Sequence, residues 1–228
     1  MIVQFTTLEI TFWSGIIAGI IAIIGGLYLV NLWKKQKTRM LTDLPLVFGV
    51  SFVLQGLNFF ILSSMNAGFL PDTLELFKIR TFVIAGSMFP FVAVVLDIWF
   101  SRYQRYFKYI MTIAIGYWVA VTLLGQSVTT IMILVMPILL FVLCGLMITF
   151  AITWKTGRLK EVRSDLIFVG LTFVFISQMT KVSLMAIGLS FIADTLTVIG
   201  AILAILALTN PWKEKAKDST LPVQEIYA

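Results

Sequence analysis

Histidine is absent from the 228 residues, and Cys144 is the only cysteine. Without histidine there is no Ser–His or Cys–His nucleophile, and no imidazole to ligate haem, zinc or copper. With one cysteine, no disulfide forms within the chain. Charge is scarce as well: Asp, Glu, Lys and Arg make up 12% of the residues, about half the share of an ordinary soluble domain. No nucleotide-binding glycine loop and no Gly-x-Ser-x-Gly motif occurs. An intramembrane aspartyl protease would need two aspartates at matched depth, whereas Asp97 and Asp194 fall near opposite borders. No catalytic activity, cofactor or resident metal is expected.

What fills the chain instead is apolar: 60% of the residues are hydrophobic and the mean hydropathy is +1.01. A soluble domain of this size cannot hide that much apolar surface in one core. A lipid solvent removes the difficulty. A membrane-crossing helix needs about 20 mainly apolar residues. Runs of that kind occupy residues 10–33, 44–64, 77–100, 107–125, 128–154, 166–188 and 191–208. Because they are continuous rather than alternating, they indicate helices and not barrel strands. The expected fold is an all-α integral membrane protein of about seven transmembrane helices. Residues 1–212 form that domain and residues 213–228 a short polar cytoplasmic tail. The least secure division is the last one, where only Gly188-Leu189-Ser190 separates two runs. The first residues carry no basic cluster, so the first run is expected to be a retained span and not a cleaved signal.

Basic residues set the expected orientation. Lys34, Lys35, Lys37 and Arg39 follow the first run, and Arg102, Arg105 and Lys108 the third. Lys155, Arg158, Lys160 and Arg163 follow the fifth, and Lys213, Lys215 and Lys217 the last. Only Lys78, Arg80 and Lys181 stand elsewhere. Alternate connections are thus basic, which by the positive-inside rule makes them cytoplasmic and puts the N-terminus outside. A periodic, juxtamembrane charge of this kind also argues against a nucleic-acid partner for a chain of net charge +6. Trp33, Trp99, Trp154 and Trp212 fall near the same borders, where amphipathic rings prefer to sit. Asp43, before Leu44-Pro45, and Ser164-Asp165 are expected N-caps, and Asn210-Pro211 is expected to stop the last helix. Pro90 and Pro137 lie mid-span and are expected to bend their helices. Gly15, Gly19, Ala18, Ala22 and Gly26 form small-residue stripes on the first span that suit close helix packing, expected within the chain rather than between two copies.

Charges within a bilayer are costly, about 2.5–3.5 kcal/mol each on insertion scales, so each calls for a partner. At 1.5 Å rise per residue, Lys181 lies about 10 Å below the outer end of its span and Asp194 about 6 Å below the outer end of the next. Asn58 and Gln55 on the second span, Arg80 on the third and Gln178 near Lys181 fall at comparable depth. With spans two, three, six and seven arranged around one cavity, these residues would form an outer-half ligand pocket. Lys181 and Asp194 would be its ion pair, and Arg80 would reach Asp194 or Glu75. Structural glue between helices explains the same residues without any ligand. Near the cytoplasmic border, Asp97 and Arg102 make a candidate latch or a plain interfacial salt bridge.

Seven spans, an outer N-terminus, short loops and an outer polar level resemble the seven-helix sensory regions that precede microbial histidine kinases. There, a charged entry to the third helix is followed by a mid-helix proline, as in Lys78-Ile79-Arg80 and Pro90. The resemblance implies a non-enzymatic sensor in the cell membrane, acting on a protein partner at the cytoplasmic face or within the membrane. It breaks off after the seventh span, where no output domain is expected. Microbial rhodopsins are the other comparison, but four residues after Asp194 stands Val198 and not the retinal-linked lysine. Two alternatives accompany the sensor reading. An accessory subunit of a larger membrane complex would have no site of its own. A small-solute transporter would need a polar route onward to the cytoplasm, where only Ser51 is available on the second span, and the Pro-Gln pairs of small sugar transporters are missing.

Overall fold

A computed structural model describes residues 2–36, 39–157, 162–187 and 189–210. The described residues form seven α-helices and no strand. These are α1 (Ile2–Lys34), α2 (Leu44–Asn66), α3 (Leu74–Trp99), α4 (Phe107–Leu124), α5 (Val128–Thr156), α6 (Ser164–Ala186) and α7 (Ser190–Thr209), with a 3-10 turn at Ser101–Tyr106 between α3 and α4. Among the described residues, six stretches are helical, long and apolar enough to cross a membrane. The architecture fits a helical membrane protein.

Local chemistry explains most helix ends. Thr73 caps α3 by accepting the Leu76 N–H at 3.3 Å, and Ser127 caps α5 by accepting that of Thr130 at 3.2 Å. α5 ends on Gly157 and α7 on Asn210, both in the left-handed region where a side chain is unfavourable. Two expected caps differ. Asp43 precedes α2, but its carboxylate accepts the Met40 N–H at 2.8 Å in the turn before it, and Pro45 follows in the first turn of the helix. Ser164 is the first residue of α6, and its buried hydroxyl has no hydrogen bond among the described residues. Pro211, Trp212 and the expected tail lie outside the described residues, as do Lys37, Arg158 and Lys160.

Helices adjacent in sequence pack against each other, and α1 also packs on α7, which closes the bundle. α1 therefore lies between α2 and α7, which barely touch. The two tightest hairpins, α1–α2 and α6–α7, are built on facing glycines. A Cβ on Gly26 would meet the Gly49 carbonyl oxygen at 2.6 Å, and one on Gly56 the Gly19 carbonyl at 2.7 Å. Gly170 and Gly200 make the same close approach between α6 and α7. Gly19 and Gly26 are two turns apart, as are Gly49 and Gly56, so both contacts fall on one seam. The small-residue stripe of α1 thus packs within the chain.

Cross-helix bonds show successive helices running in opposite directions. Near one end, Ser14 of α1 meets Asp194 of α7, Trp118 of α4 donates to the Thr81 carbonyl of α3, and Tyr117 donates to the Leu134 carbonyl of α5. Near the other end, the Arg163 N–H reaches the Ala207 carbonyl, and Trp99 Nε1 donates to Thr149 Oγ1 at 2.8 Å. The described basic connections all fall at this second end. The interior is divided in the same way. Toward the basic connections it is apolar, centred on Phe48, whose ring meets Phe91 and Phe150 edge-on at 4.9 and 6.3 Å between centroids. Lys181, Asp194 and Arg80 lie in the opposite half.

Candidate functional site

Four helices meet around one ion pair. Lys181 Nζ of α6 donates to Asp194 Oδ1 of α7 at 3.2 Å, with 19% of the lysine side chain and 7% of the aspartate side chain exposed. The second carboxylate oxygen is 3.1 Å from Ser14 Oγ of α1. That hydroxyl is also 3.0 Å from the Thr11 carbonyl and has one proton to share between the two acceptors. Lys181 Nζ stands 5.2 Å from the ring centroid of Phe59, a buried residue of α2, within cation–π range. Gly15 makes room for this level, since a Cβ there would collide with Ser63 Oγ of α2. Ser190 extends the layer by donating to Thr11 Oγ1 at 3.1 Å.

Arg80 belongs to a separate pair. Its Nε donates to Asn58 Oδ1 at 2.9 Å, and its guanidinium lies 5.7 Å from the Phe77 ring centroid. The expected contacts of Arg80 with Asp194 or Glu75 are replaced by this neutral partner. The reason is the position of α1, which separates α2 from α7 and splits the expected single layer into two. Asn58 and Phe59 are consecutive on α2, so the two pairs share one level on flanks about 100° apart. Gln55 is half-buried, and its side chain has no hydrogen bond among the described residues.

Gln178 is exposed and does not line the site. The face of α6 toward α7 runs through Gly170, Ser177 and Lys181. Ser177, four residues before the lysine, is the buried polar group there, donating to the Ala193 carbonyl at 2.7 Å and lying 2.8 Å from Thr197 Oγ1. The expected latch is not formed either. α3 ends at Trp99, and Gln104 from the 3-10 turn donates to Asp97 Oδ1 at 3.4 Å, while Arg102 is exposed without an ion pair among the described residues. Among the described residues at that border, the ion pair is Arg163–Asp165.

Sequence reasoning missed Ser14, Thr11, Ser63 and Ser190. The available signal was the pair Thr11 and Ser14, one turn apart near the outer end of an otherwise apolar span. Two apolar clefts lie away from this layer, on α3, α4 and α5 around Pro137 and Ile138. No known protein family, curated protein or solved structure matches the chain.

Proposed function

We propose that this chain is a non-enzymatic, sensor-like binding protein of the cell membrane. In this reading it crosses the bilayer seven times, with its N-terminus outside and its C-terminus in the cytoplasm. The observation that carries the reading is the junction of α1, α2, α6 and α7 on the Lys181–Asp194 pair. A group that competes for either charge would loosen α6 from α7 and α1 together, a two-position element of the kind signalling requires. Orientation is supported by the basic connections sharing one end of the bundle, opposite the charged level. The packed Phe48, Phe91 and Phe150 beneath that level, and Ser51 held on the Ser87 carbonyl at 2.6 Å, favour a site open from one side over a transport path.

The test is a distance measurement in lipid nanodiscs. Spin labels at Phe69 and Ile187, in a Cys144→Ser background, report the separation of the outer ends of α2 and α6. Lys181→Met is expected to add a second, displaced population while the helical content is kept. A single unshifted distribution would reduce the pair to packing.

One observation favours the accessory-subunit reading. Only 11% of the α4 span and 22% of the α5 span is buried, against 39–44% for α1, α2, α3 and α7. A large face is therefore left for lipid or for another chain. Isolation in mild detergent separates the readings, since the sensor is expected to travel without a stoichiometric intramembrane partner.

A further inference from the structure

The two half-buried cations of the charged level differ in one respect. Lys181 has a carboxylate, whereas Arg80 has none: among the described residues it forms no salt bridge, and its one hydrogen bond goes to a neutral amide. A guanidinium carries five N–H donors, and Asn58 engages only Nε–H. The Nη donors, which make the fork that matches carboxylates and phosphates, have no acceptor among the described residues. A partly buried guanidinium in that state, within an apolar helix, is incomplete.

The surroundings hold the guanidinium rather than neutralise it. Asn58 is 6% exposed, so its amide is fixed by packing, and the Phe77 ring lies against the guanidinium. The neighbouring cation Lys78 is engaged elsewhere, donating to the Leu123 carbonyl at the end of α4 at 2.9 Å. Asp72, exposed in the connection before α3, acts on Arg80 through charge without a contact ion pair. Arg80 lies six residues into α3, about 9 Å along the axis from its first residue, at the end of the bundle opposite the basic connections.

We propose that Arg80, held by Asn58 and Phe77, is the binding site for an oxyanion, the phosphate or carboxylate head of an acidic ligand. This names the ligand class for the binding-protein reading and rests on it. The lysine level is the coupling element and the arginine level is where the ligand docks. The head can come from an acidic lipid or from a soluble anion, and the chemistry at Arg80 is the same for both.

The full chain in nanodiscs of phosphatidylcholine is titrated with phosphatidylglycerol in one arm and inorganic phosphate in the other. Binding is followed by the Arg80 Nε–H resonance and by lipid retention in native mass spectrometry. Saturable binding in at least one arm is expected, and the arm that responds identifies the source. Arg80→Gln is expected to weaken it about tenfold or more. Asp72→Asn, an exposed change that leaves α3 intact, is expected to strengthen it severalfold by removing the competing charge. Lys108→Gln at the opposite end is expected to leave it unchanged. The proposal is overturned if neither anion saturates, if Arg80→Gln binds as the unaltered chain does, or if Asp72→Asn has no effect. Failure here leaves the Lys181→Met distance test standing, so the docking site and the sensor reading fall separately.

Discussion

Ser14 and Asp194, 180 positions apart in the chain, are 3.1 Å apart through Ser14 Oγ and Asp194 Oδ2. This contact joins the first helix to the last and makes Asp194 the shared acceptor of α1 and α6. A carboxylate at 7% side-chain exposure would otherwise face apolar surroundings with one partner.

Removing the cation should therefore cost more than removing the hydroxyl. Lys181→Met is expected to destabilise the purified protein by about 3 kcal/mol, the scale of breaking a buried pair from one side. The double change Lys181→Met with Asp194→Leu should recover much of that, because no charge is left stranded. Unfolding in mixed micelles titrated with sodium dodecyl sulfate measures both. Equal losses for the single and double variants would show that the lysine is not neutralising the aspartate.

Ser14→Ala should cost about 0.6 kcal/mol, as for hydrogen bonds between membrane helices. A double-mutant cycle with Asp194→Asn gives the coupling directly. A coupling indistinguishable from zero would assign the Ser14 proton to the Thr11 carbonyl alone.

The helix seams predict a sharp contrast between glycines. At Gly26 a methyl group would meet the Gly49 carbonyl oxygen and the Val53 backbone nitrogen, at 2.6 and 2.9 Å, and neither can move without the helix. Gly26→Ala is expected to destabilise by about 1–3 kcal/mol. Gly116, also helical, has nothing within 4 Å of its Cβ position. Gly116→Ala should be neutral or stabilising by up to about 1 kcal/mol, since alanine is the better helix former. The same unfolding titration compares the two.

Topology follows from labelling. In a Cys144→Ser background, a single cysteine at Asp72 should react with a membrane-impermeant maleimide added to intact cells. One at Gln104 should react only after permeabilisation. The reverse pattern would invert the orientation and place the Arg80 site on the inner face.

The starts of all seven helices except α1 were legible to within about three residues, because each is a long apolar run bounded by charge, proline or glycine. The ion pair was legible too, as a lysine and an aspartate in consecutive spans must pair or be excluded from lipid. Gln178 was misplaced because an offset of three or four residues from Lys181 puts a side chain on either edge of a helix face. Only the Gly170–Gly200 approach selects which edge α7 covers. The Asp97–Arg102 contact could not be judged without the 3-10 turn that sets the path after Trp99.

By itself, the sequence determined that helices form, where they stop and, α1 aside, where they start, and which loops share a charge. Those properties depend on local transfer free energy and capping, summed over neighbouring residues. Tertiary structure alone decided that α1 stands between α2 and α7, giving Lys181 a carboxylate and leaving Arg80 with an amide. That outcome depends on which backbones approach closely at Gly19, Gly26, Gly49 and Gly56, and shape complementarity between distant segments leaves no trace in hydropathy.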